Sequence, residues 1–126
     1  MEIQIVDKQA DTVQVNTTIG CFTGTWCSST LPDFRRYIVE LDSDEVLNSD
    51  TVELSNSRNP YIECVGKTIY LTGFVEEIQD GVMFLRLHGS IMMLYIVSDF
   101  DSKRYIGKYV RVRLSNINIY DTGQVL

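Results

Sequence analysis

The sequence predicts a mostly β fold with a minor helical part: an antiparallel sheet or partly open barrel of about 7–9 strands with one or two short helices. Polar and apolar residues alternate with a period of two along much of the chain, whereas apolar residues spaced as on a helix are scarce. Hairpin signals such as Asp80-Gly81 separate several of these alternating runs. The chain has 126 residues without a linker or sequence repeat, which predicts a single domain, residues 1–126.

Three strands are predicted in the first quarter of the chain, in residues 2–5, 12–17 and 19–27. The first two alternate polar with apolar side chains, and the third combines small and aromatic ones. Pro32 favours a short helix over residues 32–37, because proline fits the first turn of a helix. Tyr, Ile and Val then cluster in residues 37–41, which favours a strand.

Residues 48–60 are rich in Asn, Ser and Asp, which predicts a loop with a short strand at residues 51–54. The strands predicted next are residues 67–78, 82–87 and 91–97. The last of these is apolar at both odd and even positions, so we expect a central strand covered on both faces. Ser98 or Asp99 can cap a short helix, and residues 108–120 form a pair of strands or one long bent strand.

The second half of the chain has the element order of a known small barrel. A long strand, a hairpin, a strand, a short helix and two further strands in residues 67–120 resemble the five-stranded oligonucleotide/oligosaccharide-binding barrel. Asp80-Gly81, the turn His88-Gly89-Ser90 and the helix start near Asp99 carry the resemblance. It implies a five-stranded barrel within these residues and a nucleic acid or oligosaccharide as its ligand.

The composition excludes several classes of partner. Seventeen acidic against 11 basic residues give a net charge of −6, which counts against non-specific binding to nucleic acid or to an anionic membrane. The first eight residues have no basic stretch leading into an apolar one, so a signal peptide is not expected. The longest apolar run, residues 91–97, is far shorter than the roughly 20 residues of a membrane-spanning helix. We therefore expect a cytoplasmic protein with no membrane partner.

The three cysteines, Cys21, Cys27 and Cys64, leave at least one free thiol, which suits a reducing compartment. Their spacing matches neither a redox motif nor a zinc knuckle, and the single histidine, His88, cannot complete a common zinc site. We expect the cysteines to be small buried side chains. The sequence thus predicts no metal and no cofactor.

A catalytic set is not apparent in the sequence. His88, the only histidine, lies at a predicted turn, where we expect a partly exposed ring without a nucleophile beside it. Residues 42–53 partly imitate a calcium loop, but Val46 and Leu47 replace the oxygen ligand and the glycine that such a loop needs. Phosphate-binding glycine motifs are missing as well. The prediction is a binding protein that is not an enzyme.

Negative charge is concentrated between Tyr37 and Glu53, where no basic residue occurs. The acids of this segment are Glu40, Asp42, Asp44, Glu45, Asp50 and Glu53. Such a run is either a solvated face or a docking site for a basic partner, since opposite charge speeds encounter and fixes register. Val46 and Leu47 lie within it, as in an interface with an apolar centre and a charged rim. These six acids are the predicted partner-binding residues.

An aromatic and basic face is the alternative site. Tyr109, Arg111 and Arg113 share one face of a predicted strand whose other residues point to the core, and Arg86 can lie near them across the sheet. Aromatic and guanidinium groups together can stack on and hold single-stranded nucleic acid. The same residues can also be ordinary charges that protect an exposed strand.

The acidic run Glu40–Glu53, in a small and mostly β chain without a targeting signal, resembles the immunity proteins of bacterial toxin systems, including those paired with contact-dependent growth-inhibition toxins. The resemblance implies an antitoxin-like inhibitor that binds a cognate toxin stoichiometrically. It also implies that the toxin is often a basic nuclease, whose active site is blocked by acids that stand in for phosphates.

Overall fold

The computed structural model describes all residues, 1–126, as twelve strands and one short helix. In chain order the elements are β1 (Glu2–Gln9), β2 (Thr12–Thr17), β3 (Gly20–Trp26), β4 (Arg36–Asp42), β5 (Val46–Leu47), β6 (Val52–Leu54), β7 (Tyr61–Val65), β8 (Thr68–Gln79), β9 (Val82–Leu87), β10 (Ser90–Ile96), α1 (Ser102–Tyr105), β11 (Tyr109–Leu114) and β12 (Asn118–Asp121). The mostly β fold with a short helix is confirmed. The strands outnumber the prediction because β5 and β7 lie where no strand was predicted, whereas β6 matches the short strand predicted at residues 51–54.

Five of the strands close into a barrel in the order β4, β1, β2, β3 and β12, with β12 returning to β4. All neighbours are antiparallel except β3 and β12, where Trp26 is paired with Ile119 in parallel. Alternate residues point into the barrel, as in β2, where Val13 and Val15 are fully buried. The barrel therefore unites residues from both ends of the chain.

The three-stranded meander β1–β2–β3 is repeated 70 residues later as β8–β9–β10. The first hairpin has a bulge between Ile5 and Asp7, and the second has one at the equivalent place, between Val75 and Glu77. A left-handed residue follows each first strand, with φ of 55° at Ala10 and 52° at Asp80. Across residues 5–26 and 75–96 the only identical pair is Gln9 and Gln79, so the repeat is invisible in the sequence.

The two halves of the chain exchange their last strands. β4 pairs with β1 and β11 pairs with β8, but the strand that follows each of them crosses to the other half. Ile119 therefore lies beside Trp26, and Leu47 lies beside Ile96. The carbonyls of Ile119 and Leu47 both accept a backbone N–H, from Cys27 and Val97 respectively, at 2.9 Å. The exchange ties the two halves together through main-chain bonds.

The expectation of a five-stranded barrel within residues 67–120 is wrong for this reason. β8, β9, β10, α1 and β11 form in the expected order, but β12 pairs with β3 and β4. Its place is taken by β5 beside β10 and by β6 beside β11. The turn Asn48–Thr51 interrupts this substitute strand.

Two local predictions are corrected as well. Residues 32–35 form a bent loop instead of a helix, and the Asp33 carboxylate accepts the N–H of Phe34 at 2.7 Å. Tyr37 already belongs to β4, where its ring packs on Trp26 with the ring centres 4.9 Å apart. The second predicted helix begins later than expected, at Ser102, with Asp101 and not Ser98 or Asp99 before it.

One core of 26 buried apolar residues includes side chains from both halves of the chain. The cysteines are not part of it, because all three are exposed and free, contrary to expectation. In β3 the alternation turns Cys21 outward and Phe22 inward. The one helix, α1, is not long and apolar enough to cross a membrane.

Candidate protein-binding surface

The six predicted acids do not form one patch, and four of them make hydrogen bonds or ion pairs within the molecule. Glu45 makes the most hydrogen bonds within the molecule. Its carboxylate accepts the backbone N–H groups of Ser115, at 2.8 and 3.0 Å, and of Asn116, at 3.1 Å. The hydroxyl of Ser43 also donates to it, at 3.3 Å. These bonds connect the loop that precedes β5 to the loop that precedes β12. Both loops lie where the exchanged strands pass from one half of the chain to the other.

Asp42 and Asp44 form hydrogen bonds in the same region, to the exchanged strand β12. The side-chain amide of buried Asn118 donates to Asp42 at 3.0 Å and to Asp44 at 3.2 Å. Asn118 in turn accepts a hydrogen bond from Asn116 at 2.9 Å, and Asn116 accepts one from Thr25 at 3.0 Å. This chain of amides and carboxylates satisfies polar groups near the core, which would otherwise cost stability. Asp44 remains exposed beyond this bond.

The remaining acids lie at the surface. Glu40 is exposed on β4 and borders a cleft that it shares with Ile91 of β10. Asp50 is exposed in the Asn48–Thr51 turn. Glu53 lies 3.5 Å from the guanidinium of Arg111. Of the six, Glu40, Asp44 and Asp50 are exposed without an ion pair, and Glu53 is exposed beside Arg111.

The alternative basic face is assembled as predicted but is largely neutralised. Tyr109, Arg111 and Arg113 point outward from β11, while its other residues are buried. Arg111 lies 3.7 Å above the ring of Tyr70 and donates to Glu63 at 3.0 Å, besides its contact with Glu53. A guanidinium held by two carboxylates and one aromatic ring has little charge left for a phosphate.

Arg86 lies two strands away from this group and is paired as well. Phe74 of β8 separates it from Tyr109 in the strand register, and the rings of Phe74 and Tyr109 are 5.3 Å apart. Arg86 donates a hydrogen bond to Glu76, which lowers the pKa of that carboxyl and raises the pKa of the guanidinium. His88, in the following turn, is exposed with φ of 57°.

The sequence reasoning missed an apolar face on the outside of β9, β10 and β5. Its residues are Val46, Val82, Phe84, Ile91, Met93 and Tyr95, which we call the apolar face. In the register, Val82 lies between Gln79 and Tyr95, and Tyr95 lies beside Val46. Met93 is 58% exposed and Tyr95 55% exposed, so the expectation that residues 91–97 are covered on both faces is wrong. No strand or helix packs on the outer side of β10.

The repeated meander provides an internal comparison for this face. The first meander and the strand β12 beside it have counterparts of these residues. In the order Val46, Val82, Phe84, Ile91, Met93 and Tyr95, the counterparts are Asn118, Thr12, Gln14, Cys21, Thr23 and Thr25. Five of these six are hydrogen-bonding polar residues, of which Asn118 is buried and the other four lie at the surface, although the strands, the hairpins and the bulge are the same. The fold therefore does not require apolar residues on this side. Contiguous exposed apolar surface of this kind marks interaction sites.

Acidic residues border the apolar face. Glu77 lies opposite Phe84 in the β8–β9 register, and exposed Asp44 lies two residues before Val46. Glu40 shares a cleft with Ile91. Arg86, opposite Ile91, is engaged by Glu76. An apolar centre with a negative border is the composition expected of a surface that meets a basic protein.

No protein-family model, curated protein or solved structure matches this chain.

Proposed function

We propose that this protein binds a basic protein partner through the apolar face and its acidic border, and that it acts by occupying the partner's surface. The observation that carries the proposal is the contrast between the apolar face and the polar residues at the same positions of the first half. Tyr, Met and Phe side chains are enriched at the centres of protein interfaces, and in the apolar face Tyr95 and Met93 are exposed and Phe84 is half-buried. The resemblance to toxin-immunity proteins supplies the class of partner: a cognate toxin, such as a basic nuclease, whose active site is covered in a stoichiometric complex.

The acids play a narrower part in this proposal than a uniform acidic docking run. Glu40, Asp44 and Asp50 provide charge at the surface, whereas Asp42 and Glu45 already serve the crossing of the exchanged strands. Charges at the border of an interface mainly set the rate of association. The apolar face then supplies most of the affinity.

The triple variant Phe84→Gln, Met93→Thr and Tyr95→Thr tests the proposal, because it installs the residues Gln14, Thr23 and Thr25 of the first half. We expect binding of the partner to weaken at least about 100-fold, since loss of one dominant central side chain costs about 2 kcal/mol or more and about 2.8 kcal/mol corresponds to a 100-fold change. The partner is captured from a lysate of the source organism with wild-type protein as bait, purified, and titrated against both proteins.

A matched control carries the changes Thr12→Ser, Gln14→Ser and Thr23→Ser on the equivalent face of the first half. It should bind the partner as the wild type does. In both proteins association should slow as salt increases, because the acidic border is screened. Equal affinity of the triple variant and the control would exclude the apolar face as the binding surface.

The alternative function is single-stranded nucleic-acid binding by Arg86, Tyr109, Arg111 and Arg113, and it predicts that the protein binds labelled single-stranded DNA at low salt. We expect no binding at about 50 mM salt, because two of the arginines are already paired with carboxylates. Arg86 is paired with Glu76, and Arg111 with Glu53 and Glu63. The measurement is fluorescence anisotropy of a labelled oligonucleotide. Binding that disappears in an Arg111→Ala, Arg113→Ala variant would support the alternative instead.

A further inference from the structure

A cleft of about 590 Å³ opens between β8, the start of β11 and the loop that follows β6. The residues that line it are Leu54, Ser55, Asn56, Arg58, Phe74, Gly107, Lys108 and Tyr109. Two of them are basic and none is acidic, although the whole chain carries a net charge of −6. Its volume is in the range of roughly 300–1,000 Å³ that small-molecule sites have. We call this place the aromatic cleft.

The two basic residues of the aromatic cleft, Arg58 and Lys108, are not engaged elsewhere in the protein. Both are exposed, and neither forms an ion pair or lies over an aromatic ring. The counterpart of Lys108 in the first half is Arg35, whose guanidinium lies 4.1 Å from the centre of the Tyr37 ring. Two unpaired cations without a carboxylate beside them match the charge of a phosphate monoester, which is close to −2 at neutral pH.

The rings of Phe74 and Tyr109 form the apolar part of the aromatic cleft. Their centres are 5.3 Å apart, and both side chains are half-buried, so part of each remains exposed to solvent. The same register in the first half pairs Gln4 with Arg36, so the fold does not require aromatic residues at this place. Exposed ring surface beside unpaired cations suits a ligand that joins a planar ring to a negative group.

Asn56 adds a hydrogen-bonding side chain to the same wall. The hydroxyls of Ser55 and Ser57 accept backbone N–H groups of their own loop, at 3.1 and 3.2 Å. The exposed amide of Asn56 makes no such bond within the protein. An amide both donates and accepts hydrogen bonds, which matches the edge of a nucleobase and is of no use to a plain phenyl ring.

The arginines next to the aromatic cleft restrict it to a single nucleotide. The outward residue that follows Tyr109 on β11 is Arg111, which is already paired with two carboxylates. Across the sheet from Phe74, Arg86 is paired with Glu76. A nucleic-acid strand that continued from the cleft in either direction would meet guanidinium groups without free charge for its next phosphate.

We infer that the aromatic cleft binds a nucleoside monophosphate. The base lies against the rings of Phe74 and Tyr109 with its edge toward Asn56, and Arg58 and Lys108 hold the phosphate. This site is independent of the proposed function, because the cleft shares no residue with the apolar face. In the strand register the paired Arg86 stands between Phe74 of the cleft and Ile91 of the apolar face.

Titration of the isotope-labelled protein with adenosine 5′-monophosphate at constant ionic strength, followed by amide NMR, tests the inference. Saturable shifts should appear at Asn56, Arg58, Lys108 and Tyr109, with a dissociation constant below about 1 mM. The control ligands are adenosine, inorganic phosphate and phenyl phosphate, which lack the phosphate, the nucleoside and the nucleobase respectively. Each should bind at least about fivefold more weakly, because stacking and charge both contribute to the affinity of the complete ligand.

The variant Phe74→Gln, Tyr109→Arg tests the stacking surface, because it installs the residues Gln4 and Arg36 that the first half tolerates in the same register. It removes both rings and adds a positive charge. The monophosphate should therefore bind at least about fivefold more weakly, whereas inorganic phosphate should bind no more weakly than to the wild type.

The variant Arg58→Gln, Lys108→Gln tests the phosphate contacts and should bind the monophosphate at least about tenfold more weakly. Its matched control, Lys67→Gln, Arg113→Gln, removes two exposed cations that lie outside the cleft and form no ion pair. The control has the same net charge as the test variant and should bind the monophosphate within about twofold of the wild type.

Absence of shifts at the cleft residues up to about 10 mM monophosphate would overturn the inference. Equal binding of inorganic phosphate or phenyl phosphate would overturn it too, because the nucleobase would then contribute nothing. An equal loss of affinity in the two charge variants would reduce the effect to attraction by net charge. A labelled oligonucleotide that bound more tightly than the monophosphate would contradict the restriction to one nucleotide.

Discussion

Replacing Glu45 with alanine should lower the free energy of unfolding by about 2–3 kcal/mol, because hydrogen bonds to a charged acceptor are among the stronger ones. The Glu45 carboxylate accepts two backbone N–H groups, of Ser115 and Asn116, and the hydroxyl of Ser43. It is half-buried, so water replaces only part of what is lost. Urea denaturation measures the change, and the midpoint of thermal unfolding should fall by about 8 °C.

The matched control is Asp50→Ala, an acid of the same segment that is exposed in a turn. Its effect should stay within about 0.5 kcal/mol, as for most surface substitutions. Glu45→Gln should fall between the two, because an amide keeps one acceptor oxygen but loses the charge. If Glu45→Ala were as stable as Asp50→Ala, the bonds at the crossing of the exchanged strands would contribute nothing measurable.

Period-two alternation was enough to predict the fold class and much of β11. The side chains of Val110, Val112 and Leu114 are buried, and Tyr109, Arg111 and Arg113 point outward as predicted. The turn at Asp80-Gly81 also joins two antiparallel strands as expected. These features depend on neighbouring residues alone, which is why one sequence suffices for them.

Features that depend on distant residues could not be predicted. The repeat leaves one identical pair in 22 aligned positions, since the two halves share only the alternation of the meander. The exchange of β12 and β5 is decided by which neighbours they find across the whole chain, and nothing local in Asn118–Asp121 specifies β3. A barrel within residues 67–120 was therefore a reasonable expectation from local order alone.

The candidate surface was predicted only in part for a related reason. Ile91, Met93 and Tyr95 are as apolar as their buried neighbours Met92 and Leu94, so the sequence contains no signal for which side is covered. The run of acids likewise gives no sign that Glu45 is bonded internally while Asp50 is free. Both distinctions depend on which parts of the chain pack against these residues in the folded protein. The polar counterparts of the apolar face on the first meander show that the fold does not require apolar residues there.

Replacing Gly20 with serine should destabilise the protein by about 3 kcal/mol or more, because a residue at a backbone conformation and a spacing that only glycine fits forces the chain to move. A Cβ atom at Gly20 would lie 1.9 Å from the carbonyl oxygen of Ile62, and φ is 134°. Relief requires β7 to shift away from β3, which exposes the fully buried side chain of Ile62. Urea denaturation of the variant measures the loss.

Ser90 of β10 corresponds to Gly20 of β3 in the repeated meander, and no strand is paired with it on the side that β7 occupies at Gly20. Ser90→Gly should therefore change the free energy of unfolding by about 1 kcal/mol at most, the ordinary cost of glycine in a strand. The two substitutions interchange the same pair of residues at corresponding positions, so the difference between them combines the contact of β7 with Gly20 and the positive φ of Gly20, which Ser90 does not share. Equal effects would mean that neither the contact with β7 nor the positive φ of Gly20 makes a serine there costly.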